Sequence, residues 1–167
     1  MLAMPILKEI KQTRPFVSAA QEATVALLRT ADVVNRLVDV VIERHGITGQ
    51  QYNVLRILRG AGEKGLPTLE IAERMIEQTP GITRLIDRLE TKKLVSRERC
   101  ATDRRQVFCR ISAAGLALLA RLDEPVHAIS DEALRNLSKK DVAQLIELLD
   151  RTREGTNTVM MNMEVNA

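Results

Sequence analysis

Apolar residues return every three or four positions across residues 16–45: Val17, Ala20, Ala23, Leu27, Ala31, Val34, Leu37, Val38 and Val41. That period predicts an amphipathic helix, and Gly46 stands where a C-terminal cap belongs. A helix of about 30 residues exceeds the roughly 10–14 usual in globular proteins and points to a partner helix. Residues 1–15 form a leader with no clear period. Thr48-Gly49-Gln50-Gln51 reads as a capping box, opening a helix that carries Tyr52, Val54, Leu55 and Leu58 and ends near Gly60. After a turn over residues 61–65, Thr68 is expected to cap a short helix that runs through Met75. Thr79-Pro80 is expected to open another, with Thr as the cap and Pro as the first helical residue. Its apolar side is Ile82, Leu85, Ile86 and Leu89, at i, i+3, i+4 and i+7.

The pattern then changes period. Residues 94–99 and 106–111 are rich in Val, Ile, Phe and Cys, with the turn-like Ala101-Thr102-Asp103 between them, which predicts a β-hairpin with a longer loop. Centring that hairpin on Asp103 pairs Cys109 with Arg97 and Cys100 with Gln106. Ser112 starts a further helix containing Leu116, Leu119, Leu122, Val126, Ile129 and Leu134, and Pro125 should bend it. Ser138 caps a last helix with Val142, Leu145, Ile146, Leu148 and Leu149, and the tail from Gly155 is expected to fray. The fold class is therefore mainly α with a small β-hairpin.

Composition narrows the function. The chain has 167 residues, 45% apolar and 28% charged, enough for one domain with helical arms. Aromatic residues make up 2%, namely Phe16, Tyr52 and Phe108, which argues against binding single strands by base stacking. Two Cys without a CxxC spacing and two isolated His cannot supply a zinc site, so no metal or other cofactor is expected. The sparse Cys suit a reducing, cytoplasmic setting. No apolar run of ~18 residues predicts a membrane span, and the N-terminus does not read as a signal peptide. No P-loop, nucleophile elbow or GxGxxG is present, so an enzyme is not expected.

The net charge of +3 carries little until it is divided along the chain. Over residues 84–110, nine basic residues stand against four acidic ones, leaving +5. The stretch before carries +1 and the stretch after −3. The bland reading is a solvated helix face and a charged sheet edge. Yet these cations follow three short helices and continue onto an adjacent hairpin, which is the plan of a winged helix-turn-helix. Its third helix would enter a DNA major groove and read base edges with residues near its N-terminus. Those candidates are Thr79, Pro80, Gly81, Thr83 and Arg84, with Arg84 suited to a guanine edge. Arg88 and Lys92, further back, suit phosphates. Arg97, Arg104 and Arg105 belong to the hairpin, whose tip could enter a minor groove, and Asp103 would pair with an Arg to hold that tip.

These residues, together with their order, resemble the MarR family of bacterial transcription regulators. The resemblance runs from about residue 47 to 115. It rests on the stretch opening with Ile47-Thr48-Gly49-Gln50-Gln51-Tyr52, then Ile82-Thr83-Arg84-Leu85-Ile86-Asp87-Arg88-Leu89-Glu90, Leu94-Val95-Ser96-Arg97, and Asp103-Arg104-Arg105 followed by Val107-Phe108-Cys109-Arg110-Ile111-Ser112-Ala113-Ala114-Gly115. It implies a winged helix-turn-helix domain over residues 47–112, with dimerisation helices in 1–46 and 113–167. It further implies a homodimer, probing the minor groove with Arg105 and gripping a pseudo-palindromic double-stranded operator, as a repressor relieved by a small phenolic or aromatic effector. One departure is Lys93, where the family more often has a helix-capping Gly, so a differently shaped junction is expected there. Two other readings are a winged-helix protein-interaction module and a thiol-based redox regulator. For the second, Arg97, Arg99 and Arg110 could lower a thiol pKa, although the hairpin register sets Cys100 and Cys109 roughly 10 Å apart at ~3.3 Å per residue. His45 is expected to serve a helix C-terminus, and His127 to pack or face solvent.

Overall fold

The computed structural model describes residues 5–78, 80–99 and 107–165. A short helix α1 (Ile6–Glu9) lies in the leader and joins the long helix α2 (Ala19–Glu43) through the Glu9–Arg29 ion pair at 2.8 Å. Helix α2 begins later than its apolar period suggests. Ser18 is extended and its hydroxyl accepts the Gln21 N–H at 3.1 Å, so the chain turns helical only at Ala19. The helix ends before Gly46, which takes a positive φ. Next comes α3 (Gly49–Ala61), opened by the expected capping box: Thr48 accepts from Gln51 N–H, and the Gln51 side chain accepts from Thr48 N–H.

Residues 61–65 contain more than a turn. A 3-10 turn (Gly62–Lys64) leads into a two-residue strand β1 (Leu66–Pro67), which lies antiparallel to β3 with Leu66 opposite Cys109. The order β1-β3-β2 leaves Pro67 on an edge strand, where its missing N–H costs little. Gly65 makes this possible. Its φ is +66°, and a Cβ there would lie 2.4 Å from the Cys109 carbonyl oxygen. Helix α4 (Thr68–Glu73) starts directly after. Pro67 is its N-cap, so Thr68 is the first helical residue and not the cap, and the helix stops before Met75. The Thr68 hydroxyl instead lies 3.8 Å from the Cys109 sulfur.

Helix α5 (Ile82–Thr91) likewise starts later than Thr79-Pro80 predicts. Its N-cap is Gly81, at φ +98° and ψ +31°, and Pro80 sits in the preceding turn. A left-handed residue just ahead of the helix favours glycine and displaces the expected start. At the other end, Lys93 N–H donates to the Glu90 carbonyl at 2.8 Å and Leu94 N–H to the Leu89 carbonyl at 3.0 Å. These are the two bonds of a Schellman cap, and Lys93 occupies its left-handed position at φ +59°. The junction therefore keeps the shape a glycine would give it, contrary to the difference expected from Lys93.

Strands β2 (Val95–Arg99) and β3 (Val107–Ile111) pair antiparallel with Arg97 opposite Cys109, the register read from the sequence. Cys100 and Gln106 lie outside the described residues. Helix α6 (Ala113–Ala133) runs through Pro125 and is capped by Ser112. The Ser112 hydroxyl accepts from Gly115 N–H at 3.0 Å and donates to the Lys93 carbonyl at 2.7 Å. Helix α7 (Lys139–Val165) has Ser138 and Asp141 in a reciprocal cap and continues through Gly155, so the expected fraying there is not found. A single interior glycine costs only about 1 kcal/mol of helix.

The chain divides into two units, Met1–His127 and Ala128–Ala167. The first holds one core, built from α3, α4, α5, the sheet, the end of α2 and the start of α6. Ile42, Leu55, Leu58, Ile71, Ile86, Leu89, Leu119 and Leu122 have no measurable exposure there. The Arg59 guanidinium of α3 donates to both carboxylate oxygens of Asp123 in α6, at 3.0 and 2.8 Å. That bond holds the Asp123 carboxyl below its ordinary range and raises the arginine's pKa. Among the described residues, no helix is long and apolar enough to cross a membrane.

Candidate nucleic-acid interface

Helix α5 is two-faced because its sequence is. Leu85, Ile86 and Leu89 are buried and Ile82 is half-buried, so Thr83, Arg84, Asp87 and Arg88 must point outward. Arg84 and Arg88 are one turn apart on that face. Both are exposed, and neither makes a hydrogen bond or ion pair with any described residue. Pro80 and Gly81 lie exposed at the entrance to the helix, with open space where a Gly81 Cβ would be. Thr79, Asp103, Arg104 and Arg105 lie outside the described residues.

Three other cations of the basic stretch, Lys92, Arg97 and Arg110, are held within the protein. Lys92, expected to suit a phosphate, donates its ammonium to the Gly46 carbonyl and to Gln51 Oε1 at 3.4 Å. It thereby ties the end of α5 to the α2–α3 junction and satisfies Gln51, the one buried polar side chain among the described residues. Arg110 donates Nε to the Glu63 carbonyl at 2.8 Å and pairs with Glu98. Arg97 turns toward α5. Its Nη2 donates to the Thr83 carbonyl at 3.2 Å and pairs with Asp87, while Nε sits 3.5 Å from the Glu90 carboxylate. Asp87, read from the sequence as part of the outward face, is thus engaged with β2. The alternation of β2 carried this signal. Arg97 is two residues from buried Val95, and therefore on the same inward side of the strand.

The turn before α5 is fixed by two asparagines that sequence reading passed over. Asn53 of α3 accepts the Ile76 N–H at 2.9 Å, and Asn35 of α2 donates to Glu77 at 3.1 Å. Nothing in the local pattern marks either residue, because each bond closes over more than twenty residues. Cys109 is buried and its thiol is pushed up by burial, which outweighs the lowering by Thr68 and Arg97. The lowered thiol pKa expected from neighbouring arginines is not found at this cysteine. Among the described residues, no group of three or more His, Cys, Asp or Glu could hold a metal ion.

The arrangement of α3, α4, α5 and a three-stranded wing is shared with known proteins. The sequence pattern of the MarR family matches residues 45–106. The HTH-type transcriptional regulator MhqR of Bacillus subtilis is 30% identical over 127 residues, covering 76% of this chain and 86% of that protein. The chain belongs to the MarR family. This MarR-family chain is a DNA-binding transcriptional regulator of winged-helix fold, and its family is one of regulators, not enzymes. A MarR transcription factor from Planctomyces limnophilus is 39% identical, with 81% of this chain and 98% of that one covered and a TM-score of 0.64. The MepR–DNA complex of S. aureus, 21% identical over 79% of this chain and 96% of that one, shares the fold with a TM-score of 0.73.

Proposed function

We propose that this chain works as a cytoplasmic homodimer that binds a pseudo-palindromic duplex operator and represses transcription until a small phenolic or aromatic effector releases it. The observation that carries sequence-specific binding is the pair Arg84 and Arg88, exposed and without a partner among the described residues, on the solvent face of a helix whose other face is locked into the core. An unpartnered guanidinium in a major groove can bond both acceptors of a guanine edge, worth about 1–3 kcal/mol of discrimination. Thr79, Pro80, Gly81 and Thr83 would lie beside it. The wing would add Asp103, Arg104 and Arg105, with Arg105 in the minor groove. Residues 47–112 form the reading part in this proposal, and 1–46 with 113–167 the dimer part.

Exposed apolar side chains support dimerisation. On α2, Leu28 is 66% and Val40 54% exposed; on α7, Ile146, Val159, Met160, Met161 and Met163 are exposed. Large apolar residues at this density on long helices mark a surface meant for another chain. The repressing sense and the effector class follow the family resemblance.

Selection of bound duplexes from fragmented genomic DNA tests the proposal. Half-sites about 34 Å apart, one helical turn, are expected for a two-fold dimer. Affinity should fall steeply with salt. Binding without sequence preference, or a site lacking two halves, overturns the operator reading. Arg84→Ala should relax base preference more than it lowers affinity for random duplex, and Arg105→Ala should weaken binding to all sequences. Parallel loss with Arg84→Ala would make it a phosphate contact. In vitro transcription from a selected fragment, with and without phenolic acids, reads the sign of regulation. Activation, or no response to the acids, overturns that part.

A further inference from the structure

We propose that Arg97 is a positioning residue for DNA recognition. It fastens strand β2 of the wing to α5, so that the two DNA-facing elements keep one mutual orientation. The inference rests on the DNA-binding reading above and deepens it, since Arg97 otherwise counts among the wing's DNA contacts.

The three groups that Arg97 engages are Thr83, Asp87 and Glu90, at i, i+4 and i+7, which form one stripe along α5. The guanidinium sits among a main-chain carbonyl and two carboxylates of that stripe. Its side chain is only 23% exposed, and Nε is buried with no hydrogen-bond partner, its nearest acceptor being Glu90 at 3.5 Å. A phosphate approaching this cation meets two carboxylates that already face it. Arg84 and Arg88 on the same helix have no such partners among the described residues. Arg97 also shields DNA from Asp87. That carboxylate stands on the reading helix and would repel a phosphate backbone if left unpaired. A lysine would not replace the arginine, since a single ammonium lacks the rigid fork whose Nη2 and Nε face these acceptors from separate atoms.

The two possible roles predict opposite signs for one substitution. The full chain is titrated with a duplex it has selected from a random pool and with a scrambled duplex of equal length, across a series of salt concentrations. Asp87→Asn removes an anion and releases Arg97. If Arg97 positions the wing, affinity for the selected duplex falls by about 5-fold while the scrambled duplex changes by less than about 2-fold. The salt slope then stays the same. Arg97→Gln gives the same pattern more strongly, and the double variant is no worse than Arg97→Gln alone. If Arg97 is a phosphate contact, Asp87→Asn tightens both duplexes, and Arg97→Gln lowers the salt slope by about 1 per protomer; either result overturns the proposal. Asp87 is 53% exposed, so its variant keeps the fold and decides the question even where Arg97→Gln does not fold. A wild-type chain that binds neither duplex in a salt-dependent way fails the DNA-binding reading itself, before any variant is compared.

Discussion

In α3 and α5 the apolar stripe is hidden within the chain, and Leu55, Leu58, Ile86 and Leu89 retain no exposed surface. In α2 the same residue types stand in water, beside the apolar period as well as on it: Leu28 is 66% exposed, Val40 54% and Val33 42%, and Leu27 on the period itself is 39% exposed. Periodicity alone does not separate the two cases. A period of 3.6 states that a helix has an apolar side, and only the surroundings decide what covers it. At roughly 25 cal/mol per Å² of apolar surface, the winged lobe gains its stability from its own chain, whereas the exposed apolar surface of α2 gains nothing until the proposed dimer covers it. Stability measured on the lobe and association measured on the arms should therefore respond to different residues.

The largest effect is expected in the lobe. Leu55→Ala empties part of a closed core and should cost about 2–5 kcal/mol, read by chemical denaturation. A loss under about 1 kcal/mol would place Leu55 on a surface like that of the arms. Leu28→Glu comes next and should act on the other side of the comparison. It should weaken self-association by about 10-fold or more in analytical ultracentrifugation, since a charge replaces a contact in an apolar interface. Circular dichroism of the lobe should not change. If the oligomeric state stays the same, the face of α2 that carries Leu28 is not the dimer surface.

Two smaller predictions sharpen the description of the lobe. Lys93→Gly relieves a left-handed non-glycine residue inside an intact Schellman cap and should raise stability by about 1 kcal/mol. A destabilised variant would mean that the lysine side chain contributes more than its backbone geometry costs. The Asp123 carboxyl is held below its unfolded value by Arg59, so its contribution is present above about pH 4, the unfolded carboxylate range, and is lost as pH falls through the lowered folded value. Asp123→Asn should therefore flatten the acid side of the stability profile and leave the neutral-to-basic slope alone. Both partners are about one-third exposed, so this is the smallest effect of the four.

What could be read from the sequence follows the range of the forces. The Thr48–Gln51 box, the pairing of Arg97 with Cys109 and the outward direction of Arg84 and Arg88 each depend on residues within one element or one hairpin. All were legible. Strand β1 was not, because two residues carry no alternation and its partner lies forty residues on. The start of α5 was misread because Thr-Pro is a good local opening signal, and a left-handed Gly81 overrode it. The division of the basic stretch was also invisible. Lys92 and Arg97 have the same character in sequence as Arg84 and Arg88, and only folding brings them to Gly46, Thr83 and Asp87.

The approach to α5 is tied to α2, and its end to the α2–α3 junction. The turn that enters it holds Glu77 against Asn35, and the turn that leaves it holds Lys92 against the Gly46 carbonyl. A rod held at two points cannot pivot about either without letting go of the other. Under the proposed function, α5 would therefore take its tilt from α2 and the junction that follows it, and those segments would double as the mount of the reading head.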